Sequence, residues 1–329
     1  MKKTAALIVI LISLCAAVTA DFGVSKFVNP ICGAADPCIV KNPDGKGYYF
    51  VYTNEQGVYT EFALSPADFK YDFSNRIYAP EPGTICRRNL WAPELHKIDG
   101  KWYIYFCSRP IGEINHRMCV ISGDDPMKPF GNFTNMGDNN NGDSAIDQTV
   151  FRYKGKLYTC YAGRTDGCLR LMIAEMASPT SIKPKRVIIS EPEYEWETHI
   201  DRTNEGPFVL RRNDKLYIVY SASAGFSDEY CLGILTYKGG DLLDPKSWEK
   251  HPEPILTGMG NIQATGHCTF TKDADGNDWC VFHCNRPHTE ANMNKWVPRL
   301  LCLQPVIWIH DFPTFSPVVE KPKYFKYAK

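Results

Sequence analysis

Apolar and polar side chains alternate along this chain with a period near two, in short runs broken by polar turns, and this pattern predicts strands rather than helices. The runs come in pairs. Five apolar runs open on a carboxylate or a histidine: Asp36-Pro-Cys-Ile-Val, Glu94-Leu-His-Lys-Ile, Asp147-Gln-Thr-Val-Phe, Glu205-Gly-Pro-Phe-Val-Leu and His267-Cys-Thr-Phe-Thr. Each is followed by a polar turn and an aromatic-rich run: Tyr48-Tyr-Phe-Val-Tyr, Trp102-Tyr-Ile-Tyr-Phe, Leu157-Tyr-Thr-Cys-Tyr, Leu216-Tyr-Ile-Val-Tyr and Trp279-Cys-Val-Phe-His. The pair recurs about every 53 to 62 residues. A repeat of that length made of short strands reads as one blade of a β-propeller, so an all-β, five-bladed β-propeller is predicted. The innermost strand of each blade lines a central channel. Residues at one point of each repeat therefore meet there, and the expected pocket gathers Asp36, Glu94, Asp147, Glu205 and His267.

Helical periodicity is nearly absent. The segment from Asp241 to Trp248 is broken by Pro245 and allows one turn at most. Gly137 to Ser144 is a polar loop entering the third repeat, where a rim loop over the channel mouth belongs. To close the ring, Arg299 to Trp308 is expected to finish the fifth blade, with Asp21 to Phe27 adding an outer strand to it. No linker or charge block divides the chain, so residues 21–329 read as a single catalytic domain.

Composition narrows the partners. Lys and Arg number 37, Asp and Glu also 37, a balance that favours neither nucleic acid nor an anionic membrane surface. Met1-Lys2-Lys3, an apolar stretch from Ala5 to Val18 and the small-residue exit Val18-Thr19-Ala20 have the layout of a secretory signal peptide over residues 1–20, too short to span a bilayer. A secreted, extracellular mature chain starting near Asp21 is expected. Of the 13 cysteines, 12 lie beyond the leader, and an even number in an exported chain suggests disulfides. The hairpin pattern offers Cys268 with Cys284 and Cys160 with Cys168. Asn132-Phe133-Thr134 is a glycosylation acceptor in a eukaryotic host.

Converging carboxylates suggest glycoside hydrolysis, which needs one acid to protonate the leaving oxygen and one carboxylate to activate water or attack. A third carboxylate raises the pKa of the acid by like-charge repulsion. Spacing alone does not assign these roles among Asp36, Asp147 and Glu205. His267 offers an imidazole to a metal ion, and a hard cation such as calcium would take it only as one contact among waters.

Asp36 in Ala-Asp-Pro, the box Trp91-Ala-Pro-Glu94, Asp147 in Ile-Asp-Gln-Thr-Val-Phe and Glu205 in Asn-Glu-Gly-Pro resemble the signature set of glycoside hydrolase family 43, a family of inverting five-bladed propellers. Tyr220-Ser-Ala-Ser-Ala and Leu242-Leu-Asp-Pro-Lys-Ser-Trp248 are similar to its exo-acting α-L-arabinofuranosidase branch. The resemblance implies Asp36 as general base, Glu205 as general acid, and Asp147 as the residue that tunes Glu205 and orients substrate. It implies substrate contacts from Trp91, Glu94 and Arg299, and a water-mediated cation contact from His267. It further implies a substrate among plant cell-wall arabinan, arabinoxylan or arabino-oligosaccharides, chemistry that requires no cofactor, and a structural calcium in the channel. Within the family, β-xylosidase and endo-arabinanase activities are the alternatives. Outside it stand a carbohydrate-binding propeller without catalysis and a non-carbohydrate scaffold.

Overall fold

The computed structural model describes residues 21–138 and 141–329. The expected leader, residues 1–20, lies outside them. Four-stranded antiparallel sheets form blades one to four. Blade one comprises Cys38–Lys41, Tyr48–Asn54, Gly57–Ala63 and Arg76–Tyr78. Blade two comprises Cys86–Ile98, Lys101–Pro110, Arg117–Gly123 and Gly131–Gly137. Blade three comprises Ala145–Tyr153, Lys156–Thr165, Cys168–Ser178 and Ser181–Ser190. Blade four comprises Asn204–Arg212, Lys215–Ala222, Cys231–Tyr237 and Trp248–Lys250. In blade five, Gln263–Lys272, Asp278–Asn285 and Leu300–Pro305 pair in order. The first strands of successive blades touch one another around the ring, which makes them the channel wall. Between Asp241 and Trp248 only a single short turn forms, Pro245–Ser247.

Buried apolar side chains gather mainly between blades. Val51 and Val58 of blade one pack with Leu95, Ile104 and Phe106 of blade two. Leu171 and Ile173 of blade three meet Ile218 and Tyr220 of blade four, and Val219 and Ile234 of blade four meet Cys280 and Phe282 of blade five. A strand with both faces covered reads as a nearly continuous apolar run, which explains why the aromatic-rich second strands were so legible. Burial of this kind stabilises by about 25 cal/mol per Å² and ties each blade to its neighbours.

Ring closure differs from the expectation. Leu300–Pro305 is indeed the third strand of blade five, but its outer neighbour is Ile31 to Ala34: Ile31 N donates to Leu301 O at 2.8 Å, Leu301 N to Cys32 O at 2.8 Å and Ala34 N to Arg299 O at 2.9 Å. Asn29 adds a side-chain clamp on Leu303, donating to its carbonyl at 2.8 Å and accepting from its N–H at 3.0 Å. Phe22–Phe27 instead forms a separate ribbon with Lys323–Ala328. Phe325 of that ribbon is fully buried against Tyr48 of blade one and Trp279 of blade five.

The cysteines also depart from the expectation. All 12 in the described residues are free, and every one except Cys32 is buried. Cys160 pairs across the hairpin with Ile173, while Cys168 pairs with Thr165. Five strand residues, about 16 Å, separate the two levels, too far for a disulfide. Cys284 lies not against Cys268 but 3.3 Å, Sγ to Sγ, from Cys302 on the adjoining strand. These thiols act as small apolar core residues, and burial pushes the thiol pKa of Cys160 above its ordinary value.

Candidate active site

The channel-lining strands share a kink at their upper ends. Asp36, Ala92, Asp147, Gly206 and His267, one from each blade, all adopt left-handed backbone conformations with φ between 49° and 58°. In blades two to five the pairing register slips at this point: between Trp91 and Glu94, Ile146 and Thr149, Glu205 and Phe208, and Gly266 and Thr269. The slip is a bulge, which bends a strand and re-aims its side chains. Non-glycine residues in this conformation carry strain that surrounding contacts must offset, and such strain concentrates at functional sites. In blade four the residue is glycine for a second reason. A Cβ on Gly206 would stand 3.2 Å from Nδ1 of His267 and 3.3 Å from Oγ of Ser221.

The kink decides what reaches the pocket. Asp36, Asp147 and His267 enter from the kink itself, and Trp91, Ile146 and Glu205 from the residue just before it; Trp296 and Arg299 complete a cavity of about 290 Å³. Glu94 lies off this cavity. It is two residues past the kink, buried, with Oε2 at 2.7 Å from Nε2 of His96. The phase of the repeat in blades two and four therefore differs from the sequence-based alignment: the counterpart of Asp36 is Ala92 rather than Glu94, and Gly206 rather than Glu205.

Asp36 is the most heavily partnered acid of the cavity. Arg299 Nη1 donates to its Oδ1 at 2.6 Å, and Nδ1 of His267 and of His283 lie at 3.3 and 3.4 Å from the same oxygen. Burial alone would raise its pKa, but Arg299, His267 and His283 together hold it well below the usual carboxylate range. Glu205 behaves in the opposite way. Burial, reinforced by the charge on Asp36, pushes it up to about 7, against the opposing hydrogen bond from Tyr230. That bond runs from Tyr230 Oη to Glu205 Oε1 at 2.8 Å. Asp147 is raised by burial and by Glu205 and Asp36, and its Oδ2 accepts from Gly206 N at 3.0 Å. Asp147 and Glu205 thus compete for protons as a coupled pair rather than titrating independently.

Three further residues matter that no repeat position marked. Tyr230, on the loop before the third strand of blade four, packs so tightly on Gly266 that a Cβ there would fall 2.1 Å from its ring. His283, in the second strand of blade five, stacks on Tyr230 with ring centroids 5.6 Å apart. Burial draws the His283 pKa down to about 4, and its Nδ1 lies 3.4 Å from Asp36 N. Trp296 belongs to the segment between the second and third strands of blade five. Only the run ending at His283 gave any prior signal.

Among the described residues no three His, Cys, Asp or Glu side chains converge as a metal cage requires. Nδ1 of His267 faces Asp36 and, at 3.9 Å, Asp147, and burial lowers its pKa. No helix of the described residues has the length and apolarity to cross a membrane.

Comparison with known proteins agrees with this geometry. The family model "Glycosyl hydrolases family 43" matches residues 27–313. An extracellular exo-alpha-(1->5)-L-arabinofuranosidase of Streptomyces chartreusis is 34% identical over 80% of this chain and 83% of its own length. Alpha-L-arabinofuranosidase 43 of Humicola insolens is 34% identical over 85% of this chain, which spans 60% of that longer relative. Among solved structures, an alpha-L-arabinofuranosidase from Lactobacillus brevis superimposes with a TM-score of 0.79 at 35% identity, covering 90% of this chain and 98% of that one. A propeller whose kinked inner strands bring a low-pKa and a high-pKa carboxyl into one cavity, matched along most of its length by these relatives, belongs to glycosyl hydrolase family 43 and is a glycoside hydrolase.

Proposed function

We propose that the chain is an exported α-L-arabinofuranosidase that removes terminal arabinofuranose from arabinan, arabinoxylan or their oligosaccharides with inversion. The observation that carries the reading is the opposed environment of two carboxyls in one cavity. Asp36 is kept ionised by Arg299, and Glu205 is kept protonated near neutrality by burial. Asp36 takes a proton from water as the water oxygen attacks the anomeric carbon. Glu205 gives its proton to the departing glycosidic oxygen as that C–O bond breaks. A single displacement of this kind leaves the anomeric centre inverted, Asp36 protonated and Glu205 ionised, and solvent exchange restores both. Asp147 holds Gly206 N, which anchors the strand beside Glu205, and the two acids titrate as a coupled pair in which a charge on one favours the proton on the other.

The arabinose preference and the exo mode rest on the relatives named above, and export rests on the leader pattern together with the Streptomyces protein's extracellular designation. A cavity of about 290 Å³, at the lower end for ligand pockets, suits a terminal sugar better than the middle of a polymer. The test is time-resolved proton NMR of the mature protein with a short α-1,5-linked arabino-oligosaccharide. Early release of free arabinose as the β anomer is expected. Internal cleavage to shorter oligosaccharides instead makes the protein an endo-arabinanase, and cleavage of xylobiose alone makes it a β-xylosidase.

A further inference from the structure

Trp296 is 63% exposed at the pocket mouth. It lines the cavity together with Trp91 and Arg299, so its indole is available to whatever fills the cavity. Its position is held from several sides. Arg299 Cζ lies 5.1 Å from its ring centroid, and Phe226 meets it edge-on with centroids 5.6 Å apart. The segment that carries it is tied to blade four by His288, whose N–H and Nδ1 engage the Asp228 carboxylate, the latter at 2.6 Å, while Nε2 lies 2.9 Å from Lys295 O.

The side of the pocket on which Trp296 stands is fixed by Gly225. A Cβ at Gly225 would lie 3.3 Å from the Trp296 indole and 3.7 Å from Cζ of Tyr230. The two rings thus flank one small patch of backbone, and Tyr230 is the residue bonded to Glu205. Trp296 therefore packs against the same backbone as the residue that bonds the proposed proton donor. In an inverting reaction the leaving group departs on the donor's side, away from the water that the base activates. The other exposed tryptophan of the cavity, Trp91, 40% exposed, belongs to blade two and stacks on His116 with centroids 4.0 Å apart.

Resting on the arabinofuranosidase reading above, we infer that Trp296 is the binding wall for the sugar on the leaving side of the scissile bond. It offers a flat apolar face to that sugar's C–H face while Arg299, stacked against it, reaches down to Asp36. The same side chain pair thereby links recognition of the departing sugar to the charge that sets the base. The step needs no new chemistry, since Trp296 contributes contact only.

The experiment compares two substrates that differ only in the leaving side: α-1,5-linked arabinobiose, which has a sugar there, and methyl α-L-arabinofuranoside, which has a methyl group. For Trp296→Ala, kcat/KM on arabinobiose is expected to fall about tenfold further than on the methyl glycoside, chiefly through KM, because one aromatic contact is worth roughly that factor. Trp296→Tyr, which keeps a flat ring, should recover most of the difference. Equal losses on both substrates overturn the inference and place Trp296 against the transferred sugar, and no loss on either overturns it as well. If the unaltered protein cleaves neither substrate, the arabinofuranosidase reading itself fails, a result visible before any variant is made.

Discussion

Arg299 Nη1 stands 2.6 Å from Oδ1 of Asp36, bridging the last blade of the ring to the first across 263 residues of sequence. This one contact supplies the charge that keeps Asp36, the proposed base, ionised, so its removal has a defined sign. In Arg299→Ala the pKa of Asp36 rises toward the ordinary carboxylate range, and the acid limb of the kcat/KM profile moves to higher pH. Loss of a charge-assisted hydrogen bond should lower kcat/KM about tenfold to hundredfold. A pH–rate profile on arabinobiose checks both. An unmoved acid limb would remove Arg299 from this role.

With Glu205 as the proposed acid, the alkaline limb is expected to follow its carboxyl. With its carboxyl pushed up to about 7, activity should fall as pH rises through neutrality, because the acid then loses the proton it must donate. Tyr230→Phe removes the hydrogen bond that favours the charged form, so the pKa rises further and the alkaline limb shifts upward. Glu205→Gln should cost about 10² to 10⁴ in kcat on arabinobiose and much less on an aryl glycoside whose leaving group needs little protonation. Equal losses on the two substrates would take the acid role away from Glu205.

Phe325 fastens the seam. It is fully buried between Tyr48 and Trp279, at ring-centroid distances of 5.4 and 5.0 Å. Phe325→Ala is expected to lower stability by about 3–5 kcal/mol through lost burial and an unfilled cavity. Urea unfolding followed by tryptophan fluorescence measures it. A loss below about 1 kcal/mol would mean that Asn29 and the strand pairing hold the ring by themselves.

The thiols should be silent until the protein unfolds. Eleven of the 12 are buried away from reagent, and burial with the nearby Glu61 pushes the remaining one, Cys32, up to about 12. A native sample should therefore react with almost no thiol reagent at pH 8, whereas denatured, unreduced protein should expose all 12 cysteines from Cys32 to Cys302. Fewer titratable thiols after denaturation, counted by mass spectrometry, would reveal disulfides.

Much of the architecture could be read from the chain because each blade repeats one pattern, and two buried faces make the second strands conspicuously apolar. The phase of the repeat was harder. A bulge adds a residue without changing the apolar pattern after it, so Glu94 looked equivalent to Asp36 when Ala92 holds that place. Asp36, Asp147, Glu205, His267, Trp91 and Arg299 nonetheless line one cavity. Tyr230, His283 and Trp296 escaped because they come from second strands and loops, where only the packing of blade against blade brings them to the channel. The cysteine pairs failed for a related reason: nearness in a hairpin sequence does not set the strand register, which placed Cys160 opposite Ile173.

The seam also makes the surroundings of Asp36 depend on closure of the ring. Asp36 is synthesised well before Arg299 and the strand that locks against Ile31 to Ala34. A chain stopped short of them carries all three acids and both halves of the proton-transfer pair, yet lacks the cation that sets the base and the partner that shuts the ring. The charge beside Asp36 is thus set only once segments far apart in the chain, Ile31 to Asp36 and Arg299 to Leu303, have closed on one another.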